Sequence, residues 1–346
     1  MKPYKNTDVL KYLKLFGDFC LAHSTLQPNL EYFHSSDIGY LAYIRYKHVL
    51  FSPKEHIIVL GNPICPENQY LSILKEFINA THQQLIFLHH DERLTGALEK
   101  LNYKTNMFGT ETLLDLESFS LKGKNRSKLR QWYNKSRRGQ VICEEVQLNT
   151  HNYHAMKKVS TEWLAKKQQT NFGILTRPFT EKDQSDVRFF VAKQNETIIA
   201  FAGFDPLYKH GEIIGYYHNF DRMLPNAPHG VGATILLHAM NTFKLEGIKF
   251  VSLGLSPLYN LKNYPTQNKF TLKVLRFTFK HLNFIYPFKG NASHKKKFDG
   301  NKKPIYFSSK ENSILDLFII LFSLYEKKPN TDCAKISISE PVKSGL

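Results

Sequence analysis

Polar and charged side chains gather just ahead of a glycine pair in the second half of the chain. Gly230-Val231-Gly232 precedes a predicted helix, and four candidate site residues stand before it: Tyr217, Asn219, Asp221 and Arg222. The free backbone amides at a helix N-terminus can face a phosphate or a developing oxyanion. Two glycines also ease a tight turn from strand to helix, and Asn and Asp are common in turns, so this segment alone leaves both interpretations open.

Two later segments carry further candidates. Ser252-Leu253-Gly254-Leu255-Ser256-Pro257-Leu258 ends a predicted strand with Gly and Pro, which is typical of a strand that stops at a cleft. Ser256 is not predicted to be a nucleophile, because no Gly-x-Ser-x-Gly surrounds it and no acid and His pair accompanies it. Phe288-Lys289-Gly290 is followed by His294-Lys295-Lys296-Lys297-Phe298. Such a lysine run is, by itself, also explained as a solvated basic face.

Taken in order, these three segments resemble the synthase domain of the phosphatidylglycerol lysyltransferases. Residues 253–258 are similar to the family's Leu-Gly-Met-Ala-Pro-Leu, and residues 288–290 match its Phe-Lys-Gly. The turn Gly61-Asn62-Pro63 resembles a Gly-Asp-Pro turn of the family's first domain. The resemblance covers roughly residues 55–307. It implies an aminoacyltransferase that moves an amino acid from aminoacyl-tRNA onto the headgroup hydroxyl of a membrane lipid such as phosphatidylglycerol.

The resemblance also assigns roles to residues. Arg222 falls on a family Arg and Lys297 on an active-site Lys, and these two are expected to position the ester and stabilise charge. Asn219 falls on the family's Asp that contacts the amine of the amino acid. Further substrate contacts are expected from Tyr217, Gly230, Gly232, Gly254, Ser256 and Lys289. Transfer from an ester to a hydroxyl needs a base and oxyanion stabilisation, so no metal or cofactor is expected.

Asn219 is the departure from the family that matters most. An amide does not pair with an ammonium as a carboxylate does, so a cationic aminoacyl specificity does not follow from the resemblance. Asp221 takes over this role only if the local register shifts. The sequence does not decide whether the change alters the substrate or removes the activity.

A strongly basic segment separates the two halves of the chain. Residues 121–139 contain eight Lys and Arg residues and no acidic residue. Asn125, Leu129, Trp132 and Ser136 are spaced to share one helical face, which predicts an exposed basic helix with Trp132 packed inward. Five of the bases are predicted to contact tRNA phosphates: Lys124, Arg126, Arg130, Arg137 and Arg138.

Composition limits the class of protein. The chain has 346 residues, with 47 Lys and Arg against 30 Asp and Glu, and a net charge of +17. This charge favours polyanionic partners, here tRNA and an anionic lipid surface, whereas DNA is not expected. Four widely spaced cysteines give no zinc spacing. The N-terminus lacks the apolar core of a secretory signal, and residues 314–325 are too short to span a bilayer. Together with the resemblance, this implies a peripheral position at the cytoplasmic face of the membrane.

Alternation of short apolar runs with amphipathic stretches predicts an α/β fold. With the resemblance, this becomes two tandem acetyltransferase-like domains, with mixed sheets flanked by helices. The expected boundaries are residues 1–120 for the first domain, 121–140 for the basic helix and 141–310 for the catalytic domain. Residues 311–346 are expected to form an amphipathic helix and a flexible tail. The apolar stripe of that helix would lie in a membrane interface or cover the core, and consists of Leu315, Phe318, Ile319, Phe322 and Tyr325.

Two other functions remain open at this point. The same fold would serve a transferase that uses an acyl-CoA or acyl-carrier donor, or another acceptor. A protein without catalytic activity that binds anionic lipid or RNA through its charge would show steep salt dependence and no product.

Overall fold

The computed structural model describes residues 6–35, 37–48, 52–167, 175–181, 186–265, 267–281 and 287–311, together with residues 316, 317, 319, 320 and 323. Its helices are α1 (Asn6–Phe16), α2 (Tyr70–Asn79), α3 (Glu92–Lys100), α4 (Ser127–Arg138), α5 (Thr150–Lys167), α6 (Val231–Leu245), α7 (Lys269–His281) and α8 (Phe288–Lys296). Its strands are β1 (Glu31–Ser35), β2 (Gly39–His48), β3 (Ser52–Leu60), β4 (Gln84–His90), β5 (Lys104–Asp115), β6 (Ile142–Val146), β7 (Arg188–Gln194), β8 (Thr197–Lys209), β9 (Glu212–Met223), β10 (Phe250–Pro257) and β11 (Asn301–Ser309).

All eleven strands form one mixed sheet in the order β1-β2-β3-β4-β11-β5-β10-β9-β8-β7-β6. The halves on either side of β5 are built alike. In each half, antiparallel strands are followed by two parallel strands that a helix connects. These are β3 and β4, connected through α2, and β9 and β10, connected through α6. The last strand, β11, inserts between β4 and β5 and pairs with both. This architecture confirms the predicted α/β class with a mixed sheet flanked by helices.

The sheet is covered on both faces, which explains why β8 is buried at every position between its two ends. On one face, Phe204 packs with Phe243 of α6. On the other, Phe201 packs against a cluster that includes Met156 and Val159 of α5. Helix α6 is apolar on most sides because it lies between the sheet and α4.

The basic segment contains α4, which begins at Ser127, so Asn125 of the predicted inward face precedes the helix and is exposed. Leu129, Trp132 and Ser136 are buried, and Ser136 accepts a hydrogen bond from Thr234 of α6 at 2.9 Å. The inward packing of Trp132 is thus confirmed.

In the C-terminal region, Ile319 is buried with Leu317 and Ile320 in the core that contains β4 and β11. Asp316 accepts hydrogen bonds from Gln84 and Ser309. The other residues of the predicted apolar stripe, and the predicted flexible tail, lie outside the described residues. No helix in the described part of the chain is long and apolar enough to cross a bilayer.

Candidate active site at the parting of two parallel strands

Strands β9 and β10 separate partway along their length. Their parallel pairing runs from Gly215 opposite Phe250 to Tyr217 opposite Ser252 and then stops, although both strands continue. Beyond that point the sheet opens, and a cavity of about 520 Å³ lies there. Its wall includes residues 217–223 of β9, alternate residues of β10 and parts of α6 and α8. The predicted residues Tyr217, Asn219, Asp221, Arg222, Gly230 and Gly232 all line it.

Asn219 lies on β9 and not in a turn, which its residue type would also have allowed. Phe220 opposes Gly203 and His218 opposes Phe204, so Asn219 is the extra residue of a β-bulge. Its Nδ2 donates to Asp205, a fully buried carboxylate that also pairs with Arg177 at 2.7 Å. Because a carboxylate only accepts hydrogen bonds, this contact fixes which end of the amide faces Asp205.

The other end of the Asn219 amide is a hydrogen-bond acceptor that faces no donor of the described residues. Its Oδ1 is buried and has no hydrogen-bond partner among the described residues. Burial raises the pKa of Asp205, but the Arg177 guanidinium and the Asn219 amide outweigh it and hold that pKa below its usual range. Asp205 therefore stays ionised behind Asn219, where it orients the amide without reaching the cavity wall.

Asp221 is the single carboxylate among the described residues that line the cavity. It lies at the first turn of α6, where a Cβ on Gly232 would come within 2.8 Å of its Oδ2. A carboxylate is stabilised at a helix N-terminus. Gly230 precedes the helix with φ of 97°, and a Cβ there would meet the Trp132 side chain at 2.6 Å. Gly232 thus lets Asp221 come close to the start of α6, and Gly230 does the same for Trp132. Both glycines line the cavity.

Arg222 is buried in an aromatic setting. Its guanidinium donates to Ser160 and lies 5.8 Å from the Trp163 ring centroid and 5.2 Å from that of Phe220. Burial lowers its pKa to about 10, so it remains a cation at neutral pH. Phe220 and Trp163 also line the cavity.

Lys295 is the cation that α8 supplies to the cavity. Its Nζ donates to the Leu255 carbonyl at 2.7 Å. Burial lowers its pKa from 10.5 to about 7, against the opposing effects of Cys20, Glu111 and Asp221. At neutral pH a large fraction of this side chain is therefore a free amine, which can accept a proton.

Lys297, the lysine to which the resemblance points, lies two residues further on and outside the cavity wall. Its Nζ donates to the Ser293 carbonyl at 2.9 Å and lies 5.2 Å from the centroid of the Trp132 ring. Residues 295 and 297 project from different sides of the helix end, because two residues span about 200° of a helical turn.

Four histidines line the cavity, and none of them is a predicted site residue: His89, His218, His229 and His294. Burial lowers the pKa of His218 and of His89 to about 4, and also lowers that of His294. These three are neutral at physiological pH, and the buried Nε2 of His218 has no hydrogen-bond partner among the described residues. His89 reaches the cavity from the end of β4 because its backbone is left-handed, with φ of 62°. Asp91, two residues further along the chain, caps α3 by accepting a hydrogen bond from the Arg93 backbone amide.

Gly254, Ser256 and Lys289 lie outside the cavity wall. Gly254 has φ of 71°, and a Cβ there would meet the Tyr217 ring at 2.6 Å, so it makes room for a residue of the wall. Ser256 is buried, with its Oγ 3.4 Å from Asn291 Oδ1. Lys289 donates to the Lys280 carbonyl at 2.8 Å.

The five predicted tRNA-binding residues divide into two groups, and two of the five, Lys124 and Arg126, precede α4. Arg126 donates to the Ser120 carbonyl at 2.6 Å, and Arg130 donates to the Gly123 carbonyl at 2.7 Å, so both hold the preceding loop. Lys124, Arg137 and Arg138 are exposed.

The parallel strands of this mixed sheet part over a cavity that the first turn of α6 borders, and the cavity wall holds both charged and aromatic side chains. The family model described as "Phosphatidylglycerol lysyltransferase, C-terminal" matches residues 11–308, and the chain belongs to that family.

Relatives and solved structures agree with this assignment. The phosphatidylglycerol lysyltransferase of Bacillus subtilis (strain 168) is 24% identical over 327 residues, which cover 93% of this chain and 37% of the relative. That of Staphylococcus haemolyticus (strain JCSC1435) is 25% identical over 91% of this chain and 37% of its own length. The chain thus spans little more than a third of these relatives. The structure of L-PGS from Bacillus licheniformis has the same fold, with a TM-score of 0.75 and 22% identity, covering 93% of this chain and 98% of that one.

Proposed function

We propose that this chain transfers an aminoacyl group from aminoacyl-tRNA to a headgroup hydroxyl of phosphatidylglycerol or a similar anionic lipid, at the cytoplasmic face of the membrane. The names of its relatives support the reaction class. The observation that carries the proposal is one cavity that holds a lysine with a pKa of about 7, a buried guanidinium and a carboxylate at a helix N-terminus.

The lipid hydroxyl oxygen attacks the carbonyl carbon of the aminoacyl ester, and its proton passes to the free amine of Lys295. A base whose pKa lies near the working pH is best suited to this step. The negative charge that develops on the carbonyl oxygen is stabilised by the Arg222 guanidinium. When the intermediate collapses, the ribose oxygen of the tRNA leaves and takes the proton back from the Lys295 ammonium. The products are an aminoacylated lipid and a tRNA with a free terminal hydroxyl.

The α-amino group of the donor is held from the β9 side. Asn219 Oδ1 is a buried acceptor without a partner among the described residues, and an amine is the donor that it lacks. Asp221 supplies the negative charge that a protonated amine requires. The amide in the family's Asp position is thus compatible with activity, because its orientation is fixed by Asp205.

Recognition of the tRNA is assigned to the exposed bases of residues 121–139. Lys124, Arg137 and Arg138 are available to phosphates, whereas Arg126 and Arg130 act by holding the loop before the helix. All five residues are proposed to serve tRNA binding, Arg126 and Arg130 by positioning this loop and the other three by contacting phosphates.

Mass spectrometry of lipid extracts tests this function in cells. Cells that express the chain are compared with cells that express Arg222→Ala or Lys295→Met at matched levels of folded protein. A new aminoacylated lipid in the first sample alone supports the proposal and identifies the amino acid. An unchanged lipid profile from folded protein in all three samples contradicts it.

A further inference from the structure

Helix α7 presents two phenylalanines to solvent. Phe270 is 56% exposed and Phe277 is 58% exposed. Seven residues are close to two helical turns, so both rings lie on the same side of the helix. The opposite side is buried, through Thr271, Leu272, Leu275 and Thr278. These phenylalanines therefore do not contribute to the core that α7 covers.

The rest of the exposed face is basic. The exposed residues of α7 other than the phenylalanines are Lys269, Lys273, Arg276, Lys280 and His281. The helix contains no Asp or Glu. Single exposed apolar residues are ordinary on protein surfaces. An aromatic pair on one helix face, surrounded by cations alone, is instead the pattern of a helix that lies in a membrane interface.

We propose that this face of α7, formed by Lys269, Phe270, Lys273, Arg276, Phe277 and Lys280, lies flat on an anionic lipid bilayer. The two rings insert at the level of the headgroups, and the cations contact lipid phosphates. The absence of acidic residues from the helix gives it the charge complementarity that such a surface requires.

Helix α7 lies next to the helix that lines the cavity, and this position assigns a role to the membrane contact. That role rests on the proposed function. Helix α8 follows α7 and lines the cavity with Gly290, Asn291 and Lys295. Lys289 of α8 donates to the carbonyl of Lys280 in the last turn of α7. The Phe279 and Phe288 rings lie with centroids 6.5 Å apart. A bilayer under α7 therefore lies beside the helix that carries Lys295, where a lipid headgroup must arrive.

Vesicle binding by the purified full chain tests the surface. Phe270→Ser with Phe277→Ser is compared with Ile142→Ser and Leu245→Ser, two residues that are 60% and 81% exposed elsewhere. The vesicles contain either phosphatidylglycerol with phosphatidylcholine or phosphatidylcholine alone. We expect the α7 pair to weaken partitioning onto the anionic vesicles at least about tenfold, and the control pair to leave it within about twofold. Circular dichroism and thermal melting confirm that both pairs are folded.

Charge is tested in the same way. Lys269→Gln with Lys273→Gln is expected to flatten the salt dependence of vesicle binding, and Lys75→Gln with Lys104→Gln is expected to leave it unchanged. If the α7 variants bind anionic vesicles as the wild type does, the proposal is wrong. If they lose tRNA binding instead, the face contacts RNA, and the proposal is equally overturned.

The result is separable from the fate of the proposed function. Transfer is measured on vesicles and on a water-soluble short-chain phosphatidylglycerol. If the Phe270→Ser with Phe277→Ser variant loses transfer to vesicles but retains transfer to the soluble lipid, both the surface and the proposed function are supported. If the Phe270→Ser with Phe277→Ser variant loses vesicle binding but the wild type makes no product with either lipid, the surface is supported and the proposed function is contradicted. Arg222→Ala is expected to bind vesicles normally in every case.

Discussion

Replacement of Lys295 by methionine is expected to make the protein more stable and inactive at once. The titratable groups around Lys295 are Cys20, Glu111, Lys302 and Asp221, with His218 and His294 also facing the cavity. Burial raises the pKa of Cys20 and of Glu111, so neither provides a dependable negative charge. The ammonium form of Lys295 is therefore poorly compensated in the fold.

The size of this effect follows from the pKa. A fall from 10.5 to about 7 disfavours the ammonium by at most about 5 kcal/mol in the folded state. Because the side chain is partly exposed at the cavity wall, we take about half of that value as the penalty. Methionine removes the penalty but loses the hydrogen bond to the Leu255 carbonyl, at a cost of about 1 kcal/mol. The net gain in unfolding free energy is about 1–2 kcal/mol where Lys295 is protonated.

The gain has a definite pH dependence. Below about pH 7 both the folded and the unfolded chain bind the proton, and the wild type carries the full penalty. Between about 7 and 10.5 only the unfolded chain binds it, so wild-type stability rises with pH and the advantage of methionine disappears. Near the top of that range the variant is expected to be less stable by about 1 kcal/mol, because only the lost hydrogen bond remains.

Two assays check this reasoning. Urea denaturation at about pH 6 and about pH 9.5 gives the two stability differences. Initial rates of transfer give the activity: wild-type kcat/KM is expected to rise with pH up to about 7, and Lys295→Met to lose about a hundredfold or more at every pH. Lys297→Met is the matched comparison and is expected to lose less than about tenfold. A methionine variant that is less stable than the wild type at about pH 6, or a larger loss at Lys297 than at Lys295, would refute the reasoning.

Three further predictions concern the walls of the cavity and the basic helix. Gly254→Ala is expected to lower the unfolding free energy by about 2 kcal/mol or more and to reduce transfer, because the new Cβ would meet the Tyr217 ring. Gly211→Ala is the control, since Gly211 has φ of 88° and a Cβ there would have nothing within 4 Å. It carries the backbone strain alone and is expected to cost about 1 kcal/mol, as measured by thermal melting. Asn219→Asp places a second carboxylate against Asp205, which raises the pKa of the pair, so destabilisation should grow as pH rises above about 4; equal stability losses at acidic and neutral pH in urea titrations would contradict this. Arg137→Ala with Arg138→Ala should weaken tRNA binding several-fold and reduce its salt dependence without moving the melting temperature, whereas Arg126→Ala should lower the melting temperature, since it frees the loop at Ser120.

Much of the fold could be predicted from the sequence, because hydrophobic periodicity and Gly or Pro punctuation are local signals. Apolar periodicity predicts a helix from Gly232 to Glu246, and α6 begins and ends within one residue of those bounds. The same signals predict a strand from Glu212 to Tyr217, which is shorter than β9. Residues 218–222 are polar apart from Phe220, but β9 continues to Met223 because neighbouring β8 supplies pairing partners as far as Ala200.

The site was harder to predict, since it depends on contacts between distant segments. Asp205 and Arg177 lie far from Asn219 in sequence, and nothing local signals that they orient its amide. His89 enters the cavity from the other half of the sheet through a left-handed backbone, which a non-glycine residue rarely adopts. The choice between Lys295 and Lys297 depends on how α8 is rotated, and only the packed helix shows this. One signal was available for α7: the spacing of its phenylalanines among lysines was present in the sequence.

The most direct test of the central claim is a transfer assay with purified components. The chain is mixed with tRNA that carries a radiolabelled amino acid and with phosphatidylglycerol vesicles, and label is measured in the organic phase after extraction. We predict that label moves to the lipid, that prior ribonuclease treatment of the donor abolishes the movement, and that Lys295→Met does the same. The account is contradicted if folded wild-type protein leaves the label on tRNA with every amino acid tested, or if acylation of the acceptor requires an acyl-CoA thioester and survives ribonuclease.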